Sequence, residues 1–255
     1  MRRATAIAIA TSIAFACSKY DEGADDTPAP DRQEDAAATE AAPPSEASTA
    51  DVVDAGTACV GWDFCDDFER DVPDMLGWQM VALAGTVDID REVRLTGDRS
   101  LRCTILNEAA TAGAYLQRAL PAGRRRVEAD LAMRIEAVPT SGLNLMVVFY
   151  DDPSAYTLVA VAADGKVVLQ EWRYFVDGGF TFTSVVAGTM VPGSFVRMHL
   201  ELDLVTARAS LTVADAGATL LLATPTAQAV AAFAMGAEYS GPQAATVWVD
   251  DLRMR

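Results

Sequence analysis

Carboxylates, one histidine and a few aromatic rings are the side chains through which this sequence could do chemistry, and their spacing decides which reactions are open to it. In Glu128-Ala129-Asp130-Leu131-Ala132-Met133, two acids alternate onto one side of an extended segment. A retaining glycosidase needs two carboxyl groups about 5–5.5 Å apart across one sugar. Glu136 shares the parity of Glu128 but lies too far along an extended strand to pair with it. His199 is the sole histidine, and no Gly-x-Ser-x-Gly turn accompanies it, so a Ser–His–Asp hydrolase has no support. His199 does share a polar side with Arg197 and Glu201, an arrangement suited to lining a groove or simply to facing water. Trp172 and Tyr174 alternate onto one face ahead of Asp177-Gly178-Gly179, while Tyr150 and Tyr156 flank Asp151-Asp152-Pro153. Aromatic planes beside polar groups suit sugar rings, whose apolar faces they bury while the hydroxyls stay hydrogen-bonded. The candidate ligand-binding residues are therefore Trp172, Tyr174, Arg197 and His199. Core packing and hairpin capping are the competing roles for the aromatics, and packing near the terminal strands is expected of Trp78 and Trp248.

The elements that must position these residues read as strands. From about Phe64 onward, apolar and polar residues alternate with period two, and turn residues interrupt them every eight to fifteen positions. Val127, Ala129, Leu131, Met133 and Ile135 face one way; Val196, Met198, Leu200, Leu202 and Leu204 repeat the pattern later. Asp151-Asp152-Pro153, Ala163-Asp164-Gly165-Lys166 and Asp215-Ala216-Gly217 are hairpin turns. The Ala-rich residues 224–234 are expected to form one short helix, and residues 246–254 a closing strand. About eleven or twelve antiparallel strands in a single all-β domain predict a two-sheet β-sandwich of jelly-roll type, since no blade-length repeat is present.

Four cysteines punctuate the chain. With Cys17 set apart, Cys59 and Cys65 are the natural disulfide pair at the entry to the folded region, and Cys103 reads as a buried thiol between Leu101 and Ile105. A Cys65–Cys103 bridge is the competing arrangement. Thiolate metal ligation has the wrong spacing.

Arg2 and Arg3 precede an apolar run over residues 4–16 that is too short to cross a bilayer, which predicts a signal peptide over residues 1–16. Ala14-Phe15-Ala16-Cys17 resembles the lipobox of bacterial lipoproteins, and this resemblance implies a lipid on Cys17 and, through Ser18, sorting to an outer membrane. Plain secretion is the alternative. Residues 17–58 read as a disordered acidic Ala/Pro-rich tether, with eleven acidic residues after Cys17 against only Lys19 and Arg32. Residues 59–255 form the folded domain. The whole chain carries a formal net charge of −16, which repels phosphate backbones and argues against nucleic acid as a partner.

Phe64-Cys65-Asp66-Asp67-Phe68-Glu69, Gly97-Asp98-Arg99-Ser100-Leu101-Arg102 and Val247-Trp248-Val249-Asp250-Asp251-Leu252 together resemble the concanavalin A-like lectin/glucanase superfamily, of the laminin-G-like kind found in exported bacterial lipoproteins. Galactose-binding-like modules carry similar opening and closing motifs and are the rival jelly roll. The resemblance implies that the first and last strands lie side by side, bringing Asp66, Asp67, Glu69, Asp250 and Asp251 together as candidate ligands of a structural calcium; turn and edge acids are the alternative role. It also supplies a comparison for the Glu128 segment. Family-16-like glucanases carry Glu-x-Asp-x-x-Glu there, and Met133 replaces the last Glu. The expected function is a surface-tethered, non-enzymatic lectin-like module that binds glycan or another extracellular ligand and meets the membrane through a lipid anchor only. A divergent carbohydrate-active hydrolase or lyase, and a structural envelope lipoprotein, are the other readings.

Overall fold

Period-two alternation leaves one side of each segment to be buried, and stacking two sheets face to face buries all of those sides at once. The computed structural model describes residues 59–73, 76–106, 112–224, 228–239 and 243–255. The expected signal peptide, the lipidation site at Cys17 and the tether lie outside the described residues. Fifteen strands follow in chain order, with no helix among the described residues: β1 (Phe64–Asp66), β2 (Gln79–Leu83), β3 (Gly85–Asp90), β4 (Ser100–Ile105), β5 (Ala112–Ala119), β6 (Arg126–Ile135), β7 (Leu143–Tyr150), β8 (Ala155–Val161), β9 (Lys166–Tyr174), β10 (Phe180–Thr189), β11 (Val196–Asp203), β12 (Arg208–Val213), β13 (Ala216–Leu221), β14 (Val230–Tyr239) and β15 (Ala245–Met254). The eight-stranded sheet runs β13-β12-β11-β6-β15-β4-β3 with β1 beside β15, and the seven-stranded sheet runs β10-β9-β8-β7-β14-β5-β2. The strands outnumber the expected eleven or twelve because pieces as short as β1, three residues long, carry too little periodicity to be counted from sequence.

Leu101, Ile105, Leu131, Met133 and Ile135 from one sheet meet Leu116, Leu145, Met146, Leu169 and Phe233 from the other in a single buried cluster. Glu171 is also turned inward from β9. It is only 1% exposed, and its carboxylate accepts hydrogen bonds from Ala223 N (2.7 Å), Thr224 N (2.8 Å) and the Thr224 hydroxyl, so the chain after β13 is tied to the opposite sheet.

The first and last strands meet as expected, with Phe64 opposite Met254 and Asp66 opposite Leu252. Strand β15 pairs with β4 through Val249 and with β1 from Leu252. Between them the ladder with β6 slips by a bulge, and Asp251 takes a φ of 52°. Trp78 and Trp248 pack at this end, with their indole N–H groups donated to Asp66 (2.7 Å) and Asp90 (2.9 Å). Cys59 and Cys65 are bridged, and Cys103 is a buried free thiol.

The expected helix does not form: from Val230 the Ala-rich stretch is β14, hydrogen-bonded between β7 and β5 in the middle of its sheet. Alanine's helix preference is worth only tenths of a kcal/mol per residue, roughly, which central sheet pairing overrides. Small residues are also required there. A Cβ on Gly236, whose φ is +143°, would come within 2.5 Å of the Ala114 carbonyl and 2.7 Å of Tyr115 Cα.

Candidate functional site

Alternation along β9 sends Val167, Leu169 and Glu171 into the core and Gln170, Trp172 and Tyr174 to the opposite, outward face. The hairpin register then sets Phe182 opposite Trp172 and Phe180 opposite Tyr174, while Tyr156 on β8 lies opposite Trp172 on its other side. The rings stack in consequence. Trp172 lies 5.0 Å from Phe182 and 5.3 Å from Phe180, centroid to centroid, at interplanar angles of 19° and 22°, and 6.4 Å from Tyr156 at 9°. Trp172 Nε1 donates to Gln170 Oε1 at 2.9 Å, fixing the indole plane, and the Tyr156 and Tyr174 hydroxyls are 3.3 Å apart. The ledge opens toward the edge strand: Tyr156 is 3% exposed, Phe180 36% and Phe182 51%.

Phe149 continues the row from β7, 6.4 Å from Tyr156, and leads to a depression of about 20 Å³ among Tyr115, Asn144, Val147, Ala234, Gly236 and Glu238. That is room for about one water-sized group. Its floor is Ala234 and Gly236 of β14, and its polar groups are aimed by register slips beside Asn144 and between Met235 and Glu238. Asn144 Nδ2 donates to Glu238 Oε2 at 3.4 Å. Burial raises the Glu238 carboxyl above its ordinary range, and burial together with Glu238 raises the Tyr115 hydroxyl. Leu158, Ala160, Ala232 and Ala234 on this outward face are buried although they lie outside the core cluster, so the face has an apolar floor of its own.

The predicted ligand residues divide between the two sheets. Trp172 and Tyr174 belong to the ring ledge, but Arg197 and His199 lie on β11 of the eight-stranded sheet. There Arg197 pairs with Asp251 (2.6 Å) and His199 Nδ1 lies 2.7 Å from Asp130. Glu128 and Asp130 are on the same sheet, with Glu128 gripped by both arms of Arg255 at 2.7 and 3.0 Å. The glucanase-like acidic segment thus sits away from the aromatics. Tyr150 turns inward to hydrogen-bond with Thr157.

The five acids expected to hold calcium are each occupied with protein donors. Asp66 accepts from Phe68 N, Trp78 Nε1 and Arg70; Glu69 Oε1 accepts from Asp98 N (2.6 Å) and Arg99 N (3.0 Å); Asp67 accepts from Glu69 N. Asp250 accepts from Leu95 N, Thr96 N and Asp251 N, while Asp251 holds Thr96 and Arg197. Among the described residues no three His, Cys, Asp or Glu converge as a metal-ligand set. A calcium ion needs six or more oxygens around it, and these carboxylates do not fit one as arranged. They pin the loop between β3 and β4 onto β1 and β15. Burial, with some help from Asp251, pushes Asp250 up to about 6 against the pull of its three backbone donors. A separate cavity of about 710 Å³ lies where β6 begins and β11 and β15 end, among Arg124, Arg126, Glu128, Asp203 and Arg255. Most of its charges are paired: Arg126 with Asp203, Arg255 with Glu128, and Arg124 with Asp63 beside it.

No protein-family profile and no curated protein matches the sequence. Solved structures match it in shape. A cellulose-induced protein, Cip1, superposes with a TM-score of 0.57 over 76% of this chain and 97% of its own, at 15% identity. A glycoside hydrolase family 16 endo-glucanase from Bacteroides ovatus gives 0.58 over 75% and 99%, at 10% identity. A family 7 alginate lyase gives 0.50 over 61% and 79%, at 11% identity. These likenesses establish the fold, a concanavalin A-like jelly roll.

Proposed function

We propose that the protein is a surface-tethered, non-enzymatic module that binds glycan across the outward face of its seven-stranded sheet. The observation that carries this reading is the ledge of Tyr156, Trp172, Phe180 and Phe182, open at the sheet edge and continuous through Phe149 with the polar depression at Asn144, Tyr115 and Glu238. Four strand spacings separate β10 from β14, about 20 Å, enough for several sugar rings laid across the strands. The fold is shared with carbohydrate-active proteins, which supports the same assignment. In this reading the signal peptide and Cys17 carry the sandwich out of the cell and hold it at an outer membrane through residues 18–58.

A carbohydrate-active enzyme is the second reading, and Glu238 is the observation in its favour, because a buried carboxyl with a raised pKa beside Tyr115 is suited to proton transfer. Among the described outward strand positions of this sheet it is the sole carboxylate, so two-carboxylate glycoside hydrolysis lacks a partner.

The test is retention of the purified protein on insoluble cellulose, chitin and mixed-linkage glucan, with release of reducing ends followed in the same tubes. Retention without release is expected, weakened about tenfold by Phe182→Ala, a half-exposed ring whose loss spares the core. No retention across the panel overturns the binding reading; release of reducing ends that Glu238→Gln abolishes establishes the enzyme.

A further inference from the structure

We infer that this face selects uncharged polysaccharide over polyuronate and sulfated chains, an inference that rests on the glycan-binding reading above. Its argument is the charge inventory of the outward positions. Reading alternate residues across the seven strands gives amides and hydroxyls as the hydrogen-bonding complement: Gln79, Gln117, Asn144, Gln170, Tyr115 and Tyr174. Between the ring ledge and the depression no Lys, Arg or His occupies an outward strand position among the described residues. Lys166 stands at the far corner of β9 and is already held by Asp164. The ionisable groups in the depression are Glu238 and Tyr115, both acids. A uronate or sulfate laid here gives up water without gaining a counter-charge. A neutral chain meets groups that match its hydroxyls. The chain's net charge of −16 adds a long-range repulsion of polyanions.

The contrast with the other sheet is what makes the inventory informative. Arg134, Arg197, Arg253 and Arg255 all lie on or at the end of strands of the eight-stranded sheet, and the seven-stranded sheet's own Arg118 and Arg173 have the parity of its core-facing residues, opposite Phe233 and Ala155, so the cations available to the protein are kept off the outward face.

Affinity gel electrophoresis of the intact protein in gels containing mixed-linkage glucan, polygalacturonate or alginate, at physiological salt, tests this. Retardation by the glucan at a concentration about tenfold below that needed for either polyuronate is expected. Ala119→Arg, at an exposed outward position that supplies none of these groups, puts a cation opposite Ala232 and is expected to gain polyuronate retardation and keep glucan retardation. Equal or stronger retardation of the unaltered protein by a polyuronate overturns the selectivity and leaves glycan binding standing. Absence of retardation by all three polymers overturns the binding reading and this inference with it.

Discussion

Asp250 couples the terminal-strand junction to pH, and the direction follows from its surroundings. In the folded protein its carboxyl is held at about 6, against 3.8 when unfolded, because burial outweighs the Leu95, Thr96 and Asp251 amides that favour the anion. The folded state therefore binds this proton more tightly than the unfolded state, so stability is greatest below 3.8 and falls as pH rises through about 6. At about 1.36 kcal/mol per pH unit the whole effect is roughly 3 kcal/mol, of which about 1.4 kcal/mol falls between pH 5 and 8. The acids with lowered values, Asp90, Asp152, Asp164 and Asp203, are ionised in both states across that window and leave the slope unchanged. Glu238, raised by burial, adds to the decline in the same sense. Urea unfolding at steps from pH 5 to 8, extrapolated to water, measures it. Asp250→Asn should begin less stable by about 1 kcal/mol, since one oxygen now serves three amides, and should show a visibly shallower decline. A stability that rises from pH 5 to 7, or a slope that Asp250→Asn leaves unaltered, would refute the assignment.

Other outcomes follow from the same geometry. Glu171→Ala orphans two backbone amides and a hydroxyl inside the sandwich and should cost about 3 kcal/mol, read as a lower urea midpoint, with Glu171→Gln costing less. Reduction of Cys59–Cys65 should lower stability by about 2 kcal/mol, the chain-entropy value for a small loop, while Cys103, buried and with its thiol pushed up by desolvation, stays unreactive to a thiol reagent until the protein unfolds. Calcium in excess should leave the thermal midpoint within about 1 °C of its value in chelator, because Asp66, Glu69, Asp250 and Asp251 are already occupied by protein donors. A larger calcium-dependent rise that Asp251→Ala removes would establish a site there.

The sandwich was legible because its code is local: residues 127–135 and 196–204 alternate, the turns at Asp164-Gly165 and Asp215 sit where the hairpins close, and a bridge from Cys59 to Cys65 needs only six residues of separation. The ring ledge was half legible. Trp172 and Tyr174 announce themselves, and Phe180-x-Phe182 beyond the Asp177-Gly178-Gly179 turn falls into register with them once that hairpin is folded. Tyr115, Asn144 and Glu238 were not legible, since they come from β5, β7 and β14, which become neighbours only when the strand order is known. The helix expectation over residues 224–234 concealed them further by removing β14 from the sheet. Grouping His199 and Arg197 with Trp172 failed for a related reason: parity tells which side of a strand a residue occupies but not which of two sheets the strand joins.

A soluble sandwich needs one apolar face per sheet. The eight-stranded sheet obeys this, its other face carrying Glu128, Asp130, Arg134, Arg197, His199 and Glu201, where the ion pairs Arg255–Glu128 and Arg197–Asp251 are of little energetic worth. The seven-stranded sheet does not, since Val147, Tyr156, Leu158, Ala160 and Trp172 face away from the core and add nothing to the cluster that holds the sheets together. Exposed rings on an edge strand invite aggregation, which charged edges normally discourage, so stability alone does not account for Phe180 and Phe182. A ligand that stacks on those rings does account for them, together with the amide-lined depression farther along the same face. If removing Phe182 raised solubility and left every polysaccharide interaction unchanged, that account would fail and the ledge would have to be assigned to contact with another protein.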